Sequence, residues 1–262
     1  ARHPGVDKVS FTGSPEVGRE IAVQCARDFR HCTLELGGKS PQIILADANV
    51  DAAVEATARG LFAMAGQICA SGTRVFVHRS LHDDVVAGLA AVAGKVRLGD
   101  PFDANTTMGP LINAAQLKRV TGYVEKGRTE GARVVTGGGR PDRPGYFVEP
   151  TIFADGNNDM TIAREEIFGP VGLVMAFDDV TEAVRLANDT HYGLAAFIWT
   201  RDVSAAHELA SQVKAGTVWV NGFGPPDVNL PWGGLKTSGM GRELSYSGIE
   251  GDTEEKVVTI VL

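Results

Sequence analysis

Short runs rich in β-branched and aromatic residues alternate along this chain with segments of helical period, and that alternation restricts the fold more than any other feature. The stretches KVSF, CTLEL, PQIIL, RVFVH, VGLVMAF, LAAFIWT and GTVWV are predicted strands. Between them, Pro15 to Phe29, Val50 to Ala65, His82 to Val96, Ala114 to Gly131, Thr181 to Asn188 and Ser204 to Val213 are predicted helices. Strands that alternate with helices pair in parallel, because each helix carries the chain back to start the next strand, so an α/β fold with a largely parallel sheet is expected. Ser80 followed by Asp83 resembles a helix cap, with Leu81, Val85, Leu89 and Val92 forming one apolar stripe toward the sheet. GGGRPDRPG, from Gly137 to Gly145, is predicted as an exposed turn and Asn221 to Pro231 as a long loop, a kind of segment that is often functional.

The chain has 262 residues, 44% hydrophobic and 22% charged, enough for one large domain or two modest ones around a real core. Its net charge of −7 argues against a nucleic-acid partner, which calls for a basic footprint. The three cysteines, Cys25, Cys32 and Cys69, form no CxxC pair and no metal-ligand spacing, so no metal is expected. A reduced, cytoplasmic setting is the expectation. No apolar run is long enough to span a membrane, and the first residues lack the zones of a signal peptide.

Five segments offer chemistry, and each also has a plain structural reading. FTGSPEVG, Phe11 to Gly18, is a strand end, a Gly13-Ser14 turn and a helix start, whose free amides suit a pyrophosphate or are simply capped by Ser14. LELGGKSP, Leu34 to Pro41, puts Glu35 at the end of an apolar strand. Poor solvation there raises a carboxyl toward general-base range, unless Lys39 or an arginine pairs with it. GQICASGTR, Gly66 to Arg74, sets Cys69 among small neighbours, as a nucleophile or as buried filler. EEIFGPV offers Glu166 for a ribose diol and Phe168 for a planar ring, or else a solvated glutamate pair with Phe168 in the core. LPWGGLKTSGMGRE presents Trp232 either as a pocket wall or as a loop anchor.

Taken together, in order and spacing, these segments resemble the NAD(P)-dependent aldehyde dehydrogenase superfamily, and the resemblance runs the length of the chain. It implies a Rossmann-like α/β architecture, with 1–36 closing the cofactor-binding domain and 37–237 forming the catalytic domain. A return segment, 238–252, and an oligomerisation strand, 253–262, follow. By the same resemblance, Cys69 is the nucleophile that forms a thiohemiacetal and then a thioester, and Glu35 is the base for its hydrolysis to a carboxylic acid. The Cys69 N–H would donate to the developing oxyanion. Glu166, Phe168, Gly13, Ser14, Leu36 and Gln116 would contact NAD or NADP, while Ile68, Ala70 and Trp232 would line the pocket for a small-molecule aldehyde. The terminal TEEKVVTIVL implies pairing with a second subunit in a homodimer or homotetramer.

Family members carry a further N-terminal half. With it come a second oxyanion donor, a lysine for the adenosine ribose and the residue that selects NAD or NADP. The chain by itself is therefore expected to turn over little. The competing expectation is a non-catalytic structural or interaction protein that keeps the fold, and within the enzyme class a semialdehyde dehydrogenase is the second choice.

Overall fold

A computed structural model describes residues 1–224 and 227–262. Pro225 and Pro226, inside the predicted long loop, lie outside the described residues. Near the start, β1 (Lys8–Thr12) and β2 (His31–Glu35) pair in parallel through α1 (Pro15–Arg27). Ser14 caps α1 as expected, its hydroxyl accepting from Val17 N at 3.3 Å, with Pro15 in the first turn where a missing N–H costs nothing.

After the turn Leu36–Ser40 the chain builds a second, larger sheet. Its elements are β3 (Pro41–Ile44), α2 (Val50–Phe62), β4 (Arg74–His78), α3 (His82–Ala93), α4 (Ala114–Thr129), β5 (Arg133–Thr136) and β6 (Thr151–Ala154). Then come α5 (Thr161–Arg164), β7 (Val171–Phe177), α6 (Val180–Asn188), β8 (Ala195–Trp199), α7 (Val203–Gln212) and β9 (Thr217–Val220). The strand order is β5-β6-β7-β4-β3-β8-β9, parallel except for β5 against β6. Finally β10 (Gly239–Met240) returns to the small sheet, antiparallel to β2, and α8 (Ser245–Glu250) follows.

The central strands are apolar without alternation because helices cover both of their faces. Ile43, Ile44, Val75, Phe76, Val77, Val174, Phe197 and Ile198 are all fully buried. From β3 the chain moves to β4 on one side, and from β7 it crosses back past β4 and β3 to β8. Right-handed crossovers then set α2 and α6 on opposite faces, with α6 packed on β3 and β7. This reversal brings the segments that precede β7, β4, β3 and β8 to one edge of the sheet, side by side.

All seven predicted strands and all six predicted helices are present. The predicted Ser80 cap is not. Ser80 lies in a 3-10 turn, Arg79–Leu81, where its N–H donates to His78 Nδ1 at 3.3 Å, and α3 starts without a side-chain cap. Asp83 and Asp84 in its first turn favour the helix N-terminus by charge instead. The apolar stripe does face inward, with Val85 and Leu89 fully buried. β5, β6 and β10 escaped the sequence reading because two to four residues carry too little period to distinguish from loop. The terminal segment, expected as a strand, has no strand assignment in this single chain, and Val257, Val258, Ile260 and Val261 are exposed. No helix among the described residues is long and apolar enough to cross a membrane.

Candidate active site

Two sheets meet at the site from opposite ends. The small sheet offers the carboxyl ends of β1 and β2, which carry Gly13-Ser14 and Glu35, and the large sheet offers the amino ends of β3, β4 and β7, which carry Gly37–Ser40, Cys69 and Glu166. Residues far apart in sequence are thus gathered by topology alone.

Cys69 is presented by a loop with an unusual entrance. Met64, Ala65 and Gly66 take successive left-handed conformations, with φ of 50°, 54° and 69°. Such a run is costly for side-chain-bearing residues and persists where the surroundings enforce it. At Gly66 the surroundings also exclude a side chain, since an added Cβ would lie 2.2 Å from the backbone of Gly169. Beyond Cys69 the loop is held by Ser71, whose hydroxyl donates to Gly60 O at 2.8 Å in α2. Gly66→Ala is therefore expected to lower stability by about 3 kcal/mol or more. In contrast, Gly122→Ala in α4, where a Cβ meets nothing within 4 Å, should be neutral or slightly stabilising. Urea midpoints of the two variants check this.

Burial pushes the Cys69 thiol up, and the Glu166 and Glu35 carboxylates push it further, against the N–H groups of Ala70 and of Cys69 itself. A lowered thiol, which an activated nucleophile calls for, is thus not what the chain supplies unaided. The amides are in place, but the nearest charges are negative.

Glu35 is 4% exposed, and neither carboxylate oxygen has a hydrogen-bond partner among the described residues. Burial first and the Glu243 charge second push it up to about 7, with Arg242 and the Trp232 side chain partly offsetting them. The ion pair with Lys39 that the sequence left open does not form among the described residues. A group that titrates near neutrality and has an open proton-accepting oxygen suits general-base work.

Glu166 folds back on the turn between the sheets. Its Oε1 accepts from Gly38 N at 3.2 Å, and its Oε2 lies 2.2 Å from where a Cβ on Gly37 would be, so a side chain there would push the carboxylate out of this position. Burial pushes this carboxyl up, against the Gly38 N–H, Lys39 and Arg119. Phe168 has a φ of 57° and is 37% exposed, so it is not a core residue. Gln116 donates to Ile167 O at 3.1 Å and Phe168 O at 2.6 Å, which makes it a brace for this loop. Arg119, which the sequence reading did not single out, donates to Glu166 O at 2.6 Å. Its position on α4, three residues after Gln116, was the available signal.

Gly13 N donates to Glu35 O at 3.0 Å, and Ser14 stays exposed at the start of α1. Leu36, the expected cofactor contact, is 6% exposed, packs against Gly18 and donates its N–H to Ser238 O at 2.9 Å. Trp232 fills both of its readings. Its backbone bonds reciprocally with Glu243 at 2.8 Å, while its ring lies 5.9 Å from that of Trp219. Trp219, Phe223, Ile68 and Cys69 pack with it around Ala70, Leu194, Ala195 and Phe197. Trp219 and Phe223 were missed because a strand end and a loop aromatic have no period of their own. No three metal-ligating side chains converge among the described residues.

A thiol, a buried carboxylate of raised pKa, a second carboxylate beside a glycine turn and an exposed helix start thus lie around one junction of an α/β fold. The chain matches the aldehyde dehydrogenase family over residues 1–258 and belongs to it. It is 46% identical over 257 residues to the betaine aldehyde dehydrogenase of Brucella anthropi, covering 97% of this chain and 53% of that protein. Its fold superposes on an NAD+ complex of an aldehyde dehydrogenase from Bacillus cereus with a TM-score of 0.95 at 46% identity, over 97% of this chain and 52% of that one. It also superposes on an NAD+ complex of betaine aldehyde dehydrogenase from Staphylococcus aureus, with a TM-score of 0.91 at 42% identity, over 94% and 50% of the two chains. The chain spans about half the length of the relatives it matches.

Proposed function

We propose that this chain is the catalytic portion of an enzyme that oxidises aldehydes to carboxylic acids with NAD or NADP. The observation that carries the reading is the convergence of Cys69, Glu35 and Glu166 on one junction between two sheets, from positions spread over 131 residues. The Gly13-Ser14 helix start fits a pyrophosphate, and Glu166, now resting on Gly37 and Gly38, fits the hydroxyls of a ribose. When bound, the cofactor supplies the acceptor for hydride.

The chain's own groups account for the remaining steps. Cys69 Sγ, deprotonated, forms a bond to the carbonyl carbon, and the Cys69 N–H donates to the oxygen as it becomes negative. Loss of hydride from that carbon leaves a thioester on Sγ. Glu35 takes a proton from water as the water oxygen attacks the thioester carbon. The C–S bond then breaks, releasing the acid and the thiolate. The aromatic wall of Trp219, Phe223 and Trp232 excludes water and favours an aldehyde with an apolar or cationic remote group, a class that includes betaine aldehyde. The exposed, alternating terminal segment suits addition to a sheet edge of a second copy.

Because half of the relatives' length is absent, the chain assayed alone with NAD and a panel of aldehydes should turn over at below about 0.1 per second, under the usual enzyme range. A form that carries the relatives' N-terminal half should turn over within that range. Full turnover by the chain alone would overturn the dependence on the absent half, and none from the completed form would overturn the activity itself.

A further inference from the structure

At the amino ends of β3, β4 and β8, a small cavity, with room for about one water-sized occupant, lies among Lys39, Ser40, Arg74, Thr190 and Lys214. Lys39 and Ser40 are 1% and 2% exposed, and neither Lys39 Nζ nor Ser40 Oγ has a hydrogen-bond partner among the described residues. Buried donor hydrogens left unused on both groups are expensive unless something accepts from them. Arg74 does not compete for an occupant, because its guanidinium already donates to Lys39 O, Asn158 Oδ1, Leu186 O and Ala187 O. It contributes charge only.

No aspartate or glutamate lines the cavity. The carbonyls of Ala187, Thr190, Gly193, Leu194 and Val213, from residues of its wall, each already accept from another donor. A water molecule would accept from Lys39 and Ser40 but would leave the buried ammonium without a counter-charge. An anion accepts and donates nothing, and it compensates the buried ammonium as well. We propose that this cavity is a binding site for a single small monovalent anion of halide size, held between Lys39 Nζ and Ser40 Oγ. The site stands whether or not the chain oxidises aldehydes.

The ammonium must be charged for the site to work. Burial holds Lys39 down at about 7, with Arg74 and Arg119 acting in the same direction and Glu166 and Glu165 against it, and Lys214 adds positive charge at the cavity. The test therefore uses the 262-residue chain on the acid side of neutrality, with bromide as the probe. Its Tm in about 0.1 M sodium bromide should exceed that in sodium gluconate of equal ionic strength by about 3 °C. Lys39→Met, an apolar replacement of similar length, should abolish the difference, and Ser40→Ala should roughly halve it. Ser40→Ala keeps the test decisive if Lys39→Met does not fold. In crystals grown with bromide, an anomalous peak should lie within hydrogen-bond distance of both groups. Equal Tm in the two salts, a difference that survives in the variants, or a missing peak would each overturn the proposal.

Discussion

Cys69→Ala, made in a form completed by the N-terminal half, is expected to abolish aldehyde oxidation, by a factor on the order of 10⁴ to 10⁶. No other side chain takes its place: Cys25 is buried in α1, and Cys32 lies in β2 beside Met240, at 3.7 Å. The measurement is single-turnover NADH formation. Retained oxidation would remove Cys69 from the chemistry. The thiol also gives a readout in the chain alone. Since burial and the Glu166 charge push Cys69 up, alkylation should be slow at neutral pH and should accelerate about tenfold per pH unit while the thiol is mostly protonated. Glu166→Gln removes a negative neighbour, stabilises the thiolate and should speed alkylation several-fold at a fixed pH.

Glu35→Gln should lower turnover of the completed form about 10³-fold at the hydrolytic step, with thioester accumulating on Cys69. The wild-type rate should rise with pH through about 7, as Glu35 loses its proton, and the variant should lack that limb. The same substitution should stabilise the fold at pH 8. In the folded chain Glu35 keeps its proton up to about 7, whereas in the unfolded chain it releases it near 4.5. Between those values the folded state binds more protons, so stability falls as pH rises through the window and stays lower above it. The displacement corresponds to about 3 kcal/mol. Because a glutamine amide also lacks partners here, a net gain of about 2 kcal/mol at pH 8 is expected, turning into a deficit of about 1 kcal/mol below pH 4.5. Denaturant unfolding across pH reads it directly. A variant less stable than wild type at pH 8 would show that the carboxylate is solvated or paired after all.

The family and the main elements were legible because they rest on local pattern. Apolar runs such as PQIIL and VGLVMAF become strands wherever helices cover both faces, and Ser14 before Pro15 caps a helix without help from the rest of the molecule. The candidate residues were legible too, but only as alternatives. Whether Glu35 pairs with Lys39, whether Phe168 is core and whether Trp232 is an anchor or a wall depend on neighbours brought up by other parts of the chain. The Ser80 cap failed for a local reason: its N–H donates to His78 Nδ1, two residues earlier, in a 3-10 turn.

By itself, then, the sequence determined the alternating α/β architecture, the family and the identity of the groups able to react. Only the tertiary structure decided their state. The crossing of the chain from β7 to β8 fixes which strand ends share an edge, and that edge sets how much water each group keeps and which charges it meets. Glu35 rises to about 7, the Cys69 thiol is pushed up by burial and by its acidic neighbours, and Lys39 is left with no acceptor among the described residues, all because solvation and charge act through space and not along the chain.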